Sequence, residues 1–455
     1  MAEATTETSS GPYNYETIED PPPPPLQLSR QIHIIGFTTK ARFIAHSLAH
    51  IPQIPPVRML THHYPSASTK WFLEGKAIEL HDARGNLISS HPILCPEYIG
   101  PRMGVPTISR WQGEVLDNII VNTSSVALYP TLRALRHCID NRTVICLIHE
   151  GLGVAEKLNE DVFDDPAFRP TYVLGHLTHK LSRHMGKAMA LRNKSSNGVL
   201  LLSTSPRAAE EGIDEREDTT GHRSLELAQR KHIMGLLSTS EALHPVGLSW
   251  TKFLHRKLPG MIWSAAADTT SVILGCRYDQ ILEDSHARKL WNGLLDETLH
   301  IAASLPEFQA QNQSQDARPG QGQGHEEKWL APFLHRRDQF RASLGRRLRR
   351  RRTTYSEWIS AIRRGDVTPV NFVNGYFVKR AQELGLDHKI NSMAISMVKA
   401  RHQARLRELR SDIPFGYRPY MSDGDRLGGR EFEGDDYGGD GGDGGGEDWD
   451  FDLDL

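Results

Sequence analysis

The chain has 455 residues, 38% of them hydrophobic, with 54 Lys and Arg against 56 Asp and Glu. That length admits two domains plus tails and the apolar share can supply real cores, while no window approaches ~18 uninterrupted apolar residues, which excludes a helical membrane span. The near-zero net charge of −2 conceals strong local asymmetry. Residues 1–30 open with "MAEATTETSSGPYNYETIEDPPPPP", which is acidic and Pro-rich, and the first basic residue is Arg30. Such a segment is expected to be disordered. It lacks the positive charge of a mitochondrial presequence and the apolar core of a secretory signal, so a cytoplasmic address is expected, with a mitochondrial one as the alternative.

The first periodic stretch, "IHIIGFTTKARFIAHSL" (32–48), reads as a buried strand running through a Gly turn into a helix. Further short apolar runs follow as strands: "VRMLTH", "NIIVNT", "TVICLIH", "TYVLGHLTH" and "GVLLLSTS". "LYPTLRALRHCI" and "VAEKLNEDVF" read as helices between them, and that alternation predicts a parallel sheet with crossover helices. From about residue 222 the pattern turns helical, in "RSLELAQRKHIMGLLSTS", "SHARKLWNGLLDETLHIAASL", "YSEWISAIRRG" and "NFVNGYFVKRAQELG". The expected organisation is a Rossmann-like α/β domain over 31–247 and an all-α domain over 248–410. The second is interrupted at about 306–352 by an insertion that starts with the polar stretch 309–328 and ends in the basic run "RRDQFRASLGRRLRRRR" (336–352). Residues 411–455 form an acidic Gly/Asp-rich tail that cannot bury enough surface to fold alone. Cys95, Cys138, Cys146 and Cys276 are widely spaced without C-x-x-C, so buried thiols are expected rather than a disulfide frame or a metal site.

The ordered succession "IHIIGFTTKARFIAHSL", "DNIIVNTSS", "ICLIHEGLGVAEKLNE", "TYVLGHLTH", "LHRKL", "TTSVILGCRYDQIL" and "TPVNFVNGYFVKRAQELGL" resembles the ketopantoate reductase (2-dehydropantoate 2-reductase) family over about residues 31–403. The resemblance implies an NADP-binding Rossmann domain, a C-terminal domain like that of 6-phosphogluconate dehydrogenase, and an active site in the cleft between them. There, hydride passes from NADPH to a 2-keto acid and a lysine protonates the new alkoxide.

Against that pattern the cofactor positions are altered. The G-x-G-x-x-G turn falls on Gly36, Thr38 and Ala41. Thr38 puts a β-branched side chain where the pyrophosphate should come nearest, whereas Ala41 is tolerated at the helix-packing position. NADPH binding is therefore expected to be weak or lost, although Lys40 and the helix N-terminus can still meet an anion. His63 stands where the family's Arg meets the 2'-phosphate, and Ser124 aligns with a family Lys.

The catalytic positions have diverged as well. Glu150 replaces the Asn of the family's N-G-x-G loop, in "HEGLG". In "TPVNFVNG", Pro369 and Asn371 replace the family's Glu and Asp, and a proline side chain can neither donate nor accept a proton. The substrate-binding S-S-x-x-x-D pattern keeps Ser356 but reads Glu357 and Ala361 at its other two positions. For the catalytic lysine two alignments compete. "LHRKL" nominates Lys257 as general acid, whereas an ungapped path back from "TTSVILGC" puts Gly260 at that place, Ser264 and Asp268 at two Asn positions and Thr269 at the following Pro.

The expectation is a ketopantoate reductase-like protein that has lost most of the family chemistry and acts as a binding or regulatory pseudoenzyme, with a small-molecule ligand in the cleft. An active 2-keto acid reductase of altered substrate is the rival. A third reading is an adaptor that binds RNA or an acidic partner through Arg346–Arg352, or that docks its own acidic tail there. If the tail masks the arginines, deleting residues 431–455 will increase salt-sensitive binding to RNA or heparin. Equal binding by full-length and truncated protein across a salt titration would exclude masking.

Overall fold

The computed structural model describes residues 28–62, 66–99, 115–184, 186–195, 197–204, 222–308 and 336–411. His63, most of the N-terminal segment, 309–328 and the tail beyond 411, for which the sequence raises expectations, lie outside them.

An eight-stranded sheet forms the first domain, in the order β12-β11-β8-β7-β6-β1-β2-β5, with β5 (Glu97–Tyr98) at one edge. Its centre is β1 (Ile32–Ile35), flanked by β2 (Arg58–Thr61) and β6 (Asn118–Val121), then β7 (Val144–Ile148) and β8 (Thr171–Leu177), all parallel. These strands are near-continuous apolar runs because both sheet faces are covered. α1 (Thr39–Ala49) follows β1, α2 (Ala67–Leu73) follows β2, α3 (Ser125–Leu135) and α4 (Val154–Asp161) follow β6 and β7, and α5 (His222–Ser238) precedes β12. The chain thus crosses from β1 to β2 on one side and returns to β6 on the other, which opens the sheet's switch point beside the β1–α1 turn.

The expectation of a parallel sheet is corrected at its far edge. β11 (Leu200–Thr204) runs antiparallel to β8, and β12 (Pro245–Gly247) pairs parallel to β11. The reason is the connection: no crossover helix joins β8 to β11. The chain instead passes through β9 (Leu181–Arg183) and β10 (Ala190–Asn193), which join β3 (Ala77–His81) and β4 (Leu87–Pro92) in a second, four-stranded sheet. That sheet covers the outer side of α1, so every residue of α1 from Ala41 to Leu48 is buried, Arg42 and His46 included. Burial, with the charges of His91 and His50, holds His46 down at about 3.

From Trp250 onward the described residues are helical. α6 (Trp250–Trp263) continues through a π-helical turn (Ser264–Asp268) into α7 (Thr269–Leu274). Next come α8 (Tyr278–Glu283), α9 (Ser285–Ala303), α10 (Arg337–Arg350), α11 (Glu357–Arg364), α12 (Val370–Glu383) and α13 (Lys389–Ser411). Within the disordered or basic insertion expected at 306–352, the basic end is helical as α10. Phe340, Leu344 and Leu348 recur at i, i+4 and i+8 and are buried, which gives this arginine-rich segment one apolar stripe to dock. Cys95 is exposed, not buried as expected, while Cys138 and Cys146 are buried.

The two domains meet where β7 ends. The Leu152 amide donates to the Phe372 carbonyl of α12 at 2.9 Å. Gly151 makes this possible, because a Cβ there would stand 2.1 Å from the same carbonyl oxygen. Gly151→Ala should therefore destabilise by about 1–3 kcal/mol through overpacking. Gly260→Ala, in α6 with no atom within 4 Å of its added Cβ, should stabilise by about 0.5–1 kcal/mol. Urea unfolding of the two variants checks the opposite signs.

Candidate functional site

The site grows from three strand ends. At the β1–α1 turn Gly36 has φ +118°, and a Cβ there would lie 2.1 Å from the Asn122 carbonyl at the end of β6. Asn122 locks the neighbouring ends: its amide donates to the Ile148 carbonyl at 2.6 Å, and its side-chain oxygen accepts a short hydrogen bond from the Thr38 hydroxyl. The same hydroxyl caps α1 by accepting from the Ala41 amide at 3.0 Å. Thr38 is thus an exposed N-cap, and Ala41 is fully buried between helix and sheet. Ser124, also exposed, caps α3 by accepting from the Ala127 amide at 3.3 Å.

Beyond β7, the loop His149–Gly153 faces the helical domain. Lys257 of α6 is buried, and its Nζ donates to the His149 carbonyl at 2.6 Å. Burial, reinforced by the charge of Lys40, pulls Lys257 down to about 7, and Glu150 opposes that pull. Burial with the charges of Lys257 and Lys40 keeps His149 at about 3, and His176 on β8 is driven low by the same three influences. Both imidazoles are therefore neutral near pH 7. Lys40 and Lys257 act electrostatically on each other and on both rings. The structure thus brings Lys257, rather than Gly260, to the end of β7.

A second group lies on the helical side. Asp268, at the end of the π turn, accepts from the Tyr278 hydroxyl at 2.5 Å and is also hydrogen-bonded by Ser264 and Ser356. Burial raises its carboxyl to about 6 against those hydrogen bonds. Ser356 is fully buried and caps α11, accepting from the Trp358 amide at 3.1 Å. The Trp358 indole N–H points at Glu150 Oε2 at 3.4 Å and so links the two groups.

Of the residues nominated from sequence, Lys257, Glu150, Asp268 and Ser356 are brought together here. Gly36, Thr38, Ala41 and Ser124 lie along the strand and helix ends of the first domain. Glu357 is exposed in the first turn of α11, Asn371 is exposed on α12, and Pro369 is the N-cap of α12. Asn374, three residues after Asn371, is the buried member of that motif: it accepts from Thr269 at 3.0 Å and donates to the Ala265 carbonyl at 3.0 Å and to Asn391 at 2.9 Å. Sequence reasoning missed Tyr278, Trp358, His149 and His176, whose only signal was their nearness to nominated residues or to strand ends.

Two family profiles match this chain: "Ketopantoate reductase PanE/ApbA" over residues 32–194 and "Ketopantoate reductase PanE/ApbA C terminal" over 252–402. A 2-dehydropantoate 2-reductase of Saccharomyces cerevisiae is 25% identical over 236 residues, a match that spans 50% of this chain and little more than half, 56%, of that protein. Among solved structures, a PanE/ApbA family ketopantoate reductase from Ralstonia eutropha superposes with a TM-score of 0.53 at 11% identity, covering 83% of this chain and 99% of that one. A D-mandelate dehydrogenase solved with NADH and anilino(oxo)acetate gives a TM-score of 0.50 at 12% identity, with the same coverage. At such identities these two likenesses show the fold.

The depressed lysine makes stability pH-dependent. Between about pH 7 and its ordinary 10.5, the unfolded chain keeps the Lys257 proton that the native state has released, so stability rises with pH across that window. Relative to Lys257→Met, the natural protein should gain on the order of 3 kcal/mol from pH 7 to pH 10 in denaturant titrations. A flat difference would mean that Lys257 ionises as an ordinary lysine.

Proposed function

The chain belongs to the ketopantoate reductase family, and on that premise we propose that it is a reductase-fold binding protein, impaired in NADPH-dependent reduction of 2-dehydropantoate, whose interdomain cleft takes a small anion. The observation that carries this reading is the setting of Lys257. The buried amine lies beside the charge of Lys40, while the nearby polar anchors are the carboxyl groups of Glu150 and Asp268, where the family places neutral amides. Lys40, with Lys257 partly protonated near pH 7, favours an anion in this corner. Two carboxyl groups in the same corner limit how much negative charge it can hold.

The exchange of anchors supports loss of the family reaction. Glu150 presents a carboxylate where a keto acid's own carboxylate should approach, and Pro369 ends its loop without a proton-active group. Removing one preorganised polar group costs roughly 10²-fold in rate, and several are altered together. On the cofactor side, Thr38 uses its hydroxyl to cap α1 and to bond Asn122, so its side chain stands at the helix N-terminus that a pyrophosphate would need. NADPH binding is accordingly weak or lost in this reading. Lys257 remains in place to hold or release a proton at Nζ, and it orients a ligand against the His149 carbonyl.

Steady-state assays with NADPH and 2-dehydropantoate should show no turnover above background. Turnover that disappears in Lys257→Ala would overturn the impaired reading in favour of an active reductase. Combining Thr38→Gly, Glu150→Asn and Pro369→Glu should raise NADPH affinity more than any single change, because the three positions act on one cleft. Fluorescence titration of the cofactor reads this directly.

A further inference from the structure

Beyond its buried stripe, α10 ends in exposed arginines. Arg349 lies in its last turn, Arg351 and Arg352 follow in the segment that leads to Tyr355, and all three are exposed. That segment is held against the start of α8, where the Tyr278 amide donates to the Thr354 carbonyl at 3.4 Å. Arg363, exposed in the last turn of α11, places its Cζ 4.4 Å from the centroid of the Tyr355 ring, so the end of α11 joins the same face.

No carboxylate among the described residues pairs with Arg349, Arg351, Arg352 or Arg363. Acids around them are taken by other arginines: Asp279 by Arg277 at 3.4 Å, Asp366 by Arg364 at 2.8 Å and Glu408 by Arg405 at 3.0 Å. Four guanidinium groups on one face without counter-charge repel one another, and an anionic chain laid across them relieves that repulsion. The sequence holds such a chain. Residues 431–455 carry 11 of the 56 Asp and Glu and no Lys or Arg, so that outside them 45 acids face 54 Lys and Arg. The place where the chain leaves the fold favours this segment over a separate polyanion. α13 ends at Ser411, and its last turns lie on the end of α11: Arg405 donates to the Arg363 carbonyl at 3.0 Å, and a Cβ on Gly365 would stand 3.1 Å from Leu409. Residues 412–430 link Ser411 to the acidic segment, and a flexible chain of that length reaches roughly 25 Å, about two helix diameters.

We propose that the acidic C-terminal segment 431–455 docks on the arginine face formed by the end of α10, the segment leading to Tyr355 and the end of α11, and holds that face against other polyanions. Each exposed ion pair contributes little by itself. The contact gains from being made many times along one tethered chain, whose attachment keeps its acids at high local concentration. Salt screens such pairs, so the docking is released as ionic strength rises.

Fluorescence anisotropy of a labelled peptide of residues 431–455, titrated at low ionic strength with full-length protein and with protein ending at Arg430, tests this. The shortened protein should bind the peptide at least ~10-fold tighter than the full-length protein, whose own segment occupies the face. Arg349→Gln, Arg351→Gln, Arg352→Gln and Arg363→Gln together should weaken the peptide's binding to the shortened protein by about 10-fold. The same loss of charge at the exposed Arg84, Arg133, Arg183 and Lys194 of the first domain should leave it within about 2-fold. If a thermal melt shows the arginine variant unfolded, full-length protein with its 11 acids in 431–455 changed to Asn and Gln decides the matter, and it should bind the peptide as tightly as the shortened protein does. Equal affinity of the unaltered full-length and shortened proteins, or an equal loss from the first-domain changes, would overturn the docking. An oligouridylate bound equally by both proteins and more tightly than the peptide would make a nucleic acid the occupant and overturn it too.

Discussion

Everything at the site depends on how closely the end of β7 approaches α12. At Gly151 the Phe372 carbonyl occupies the volume a Cβ would fill, and the next amide, from Leu152, is tied to that same oxygen. This contact sets the distance between the Rossmann-like sheet and the helical domain. Because His149 and Glu150 precede the contact directly, their positions against Lys257 and Trp358 follow from it. The edge-to-face packing of the His149 ring on Phe372, at 5.2 Å, fixes the loop from its other side. A rigid joint of two backbone groups therefore sets the placement of charges that would otherwise relax apart.

That joint makes an unfavourable arrangement persist. A buried ammonium, two imidazoles held neutral and a carboxyl raised toward neutrality all oppose folding at some pH. Three of the four have a specific partner: the His149 carbonyl for Lys257, the Gly151 amide for the His149 ring, and the Tyr278 hydroxyl for Asp268. Folds rarely keep such groups in an interior for packing alone, and perturbed ionisation in a cleft is where chemistry or binding is sought.

The central strands and most helices were legible because their signal is local. "IHII", "NIIV" and "VICLI" are apolar throughout, as strands covered on both faces must be. The second sheet escaped notice because β3 and β4 mix His, Ser and Glu with apolar residues, and β9 and β10 are only three and four residues long. Their pairing with each other, from 77 to 193, is a long-range fact. α10 was hidden for a different reason: ten of the seventeen residues in "RRDQFRASLGRRLRRRR" are charged, which masks the stripe Phe340, Leu344 and Leu348. Once that stripe is set in register, Arg347 adjoins it and need not face solvent. Lys257 could not be separated from Gly260 by spacing, because the two positions lie about one turn apart on the same helix.

Between Lys257 and α7 lies the π turn at Ser264–Asp268, where the Thr269 amide reaches back five residues to the Ser264 carbonyl. A π turn holds one residue more than an α turn, and each residue of a helix carries its neighbours around by about 100°. The turn therefore acts as a rotary offset between two rigid stretches: the Lys257 end keeps one azimuth while Asp268 and all of α7 take another. Excising a single alanine from Ala265–Ala267 would reset that offset and swing one end of the helix by about a quarter turn relative to the other, drawing Asp268 away from Tyr278 without replacing any side chain at the site. In a lineage, an inserted residue of this kind changes which groups confront one another in a cleft as effectively as a substitution does.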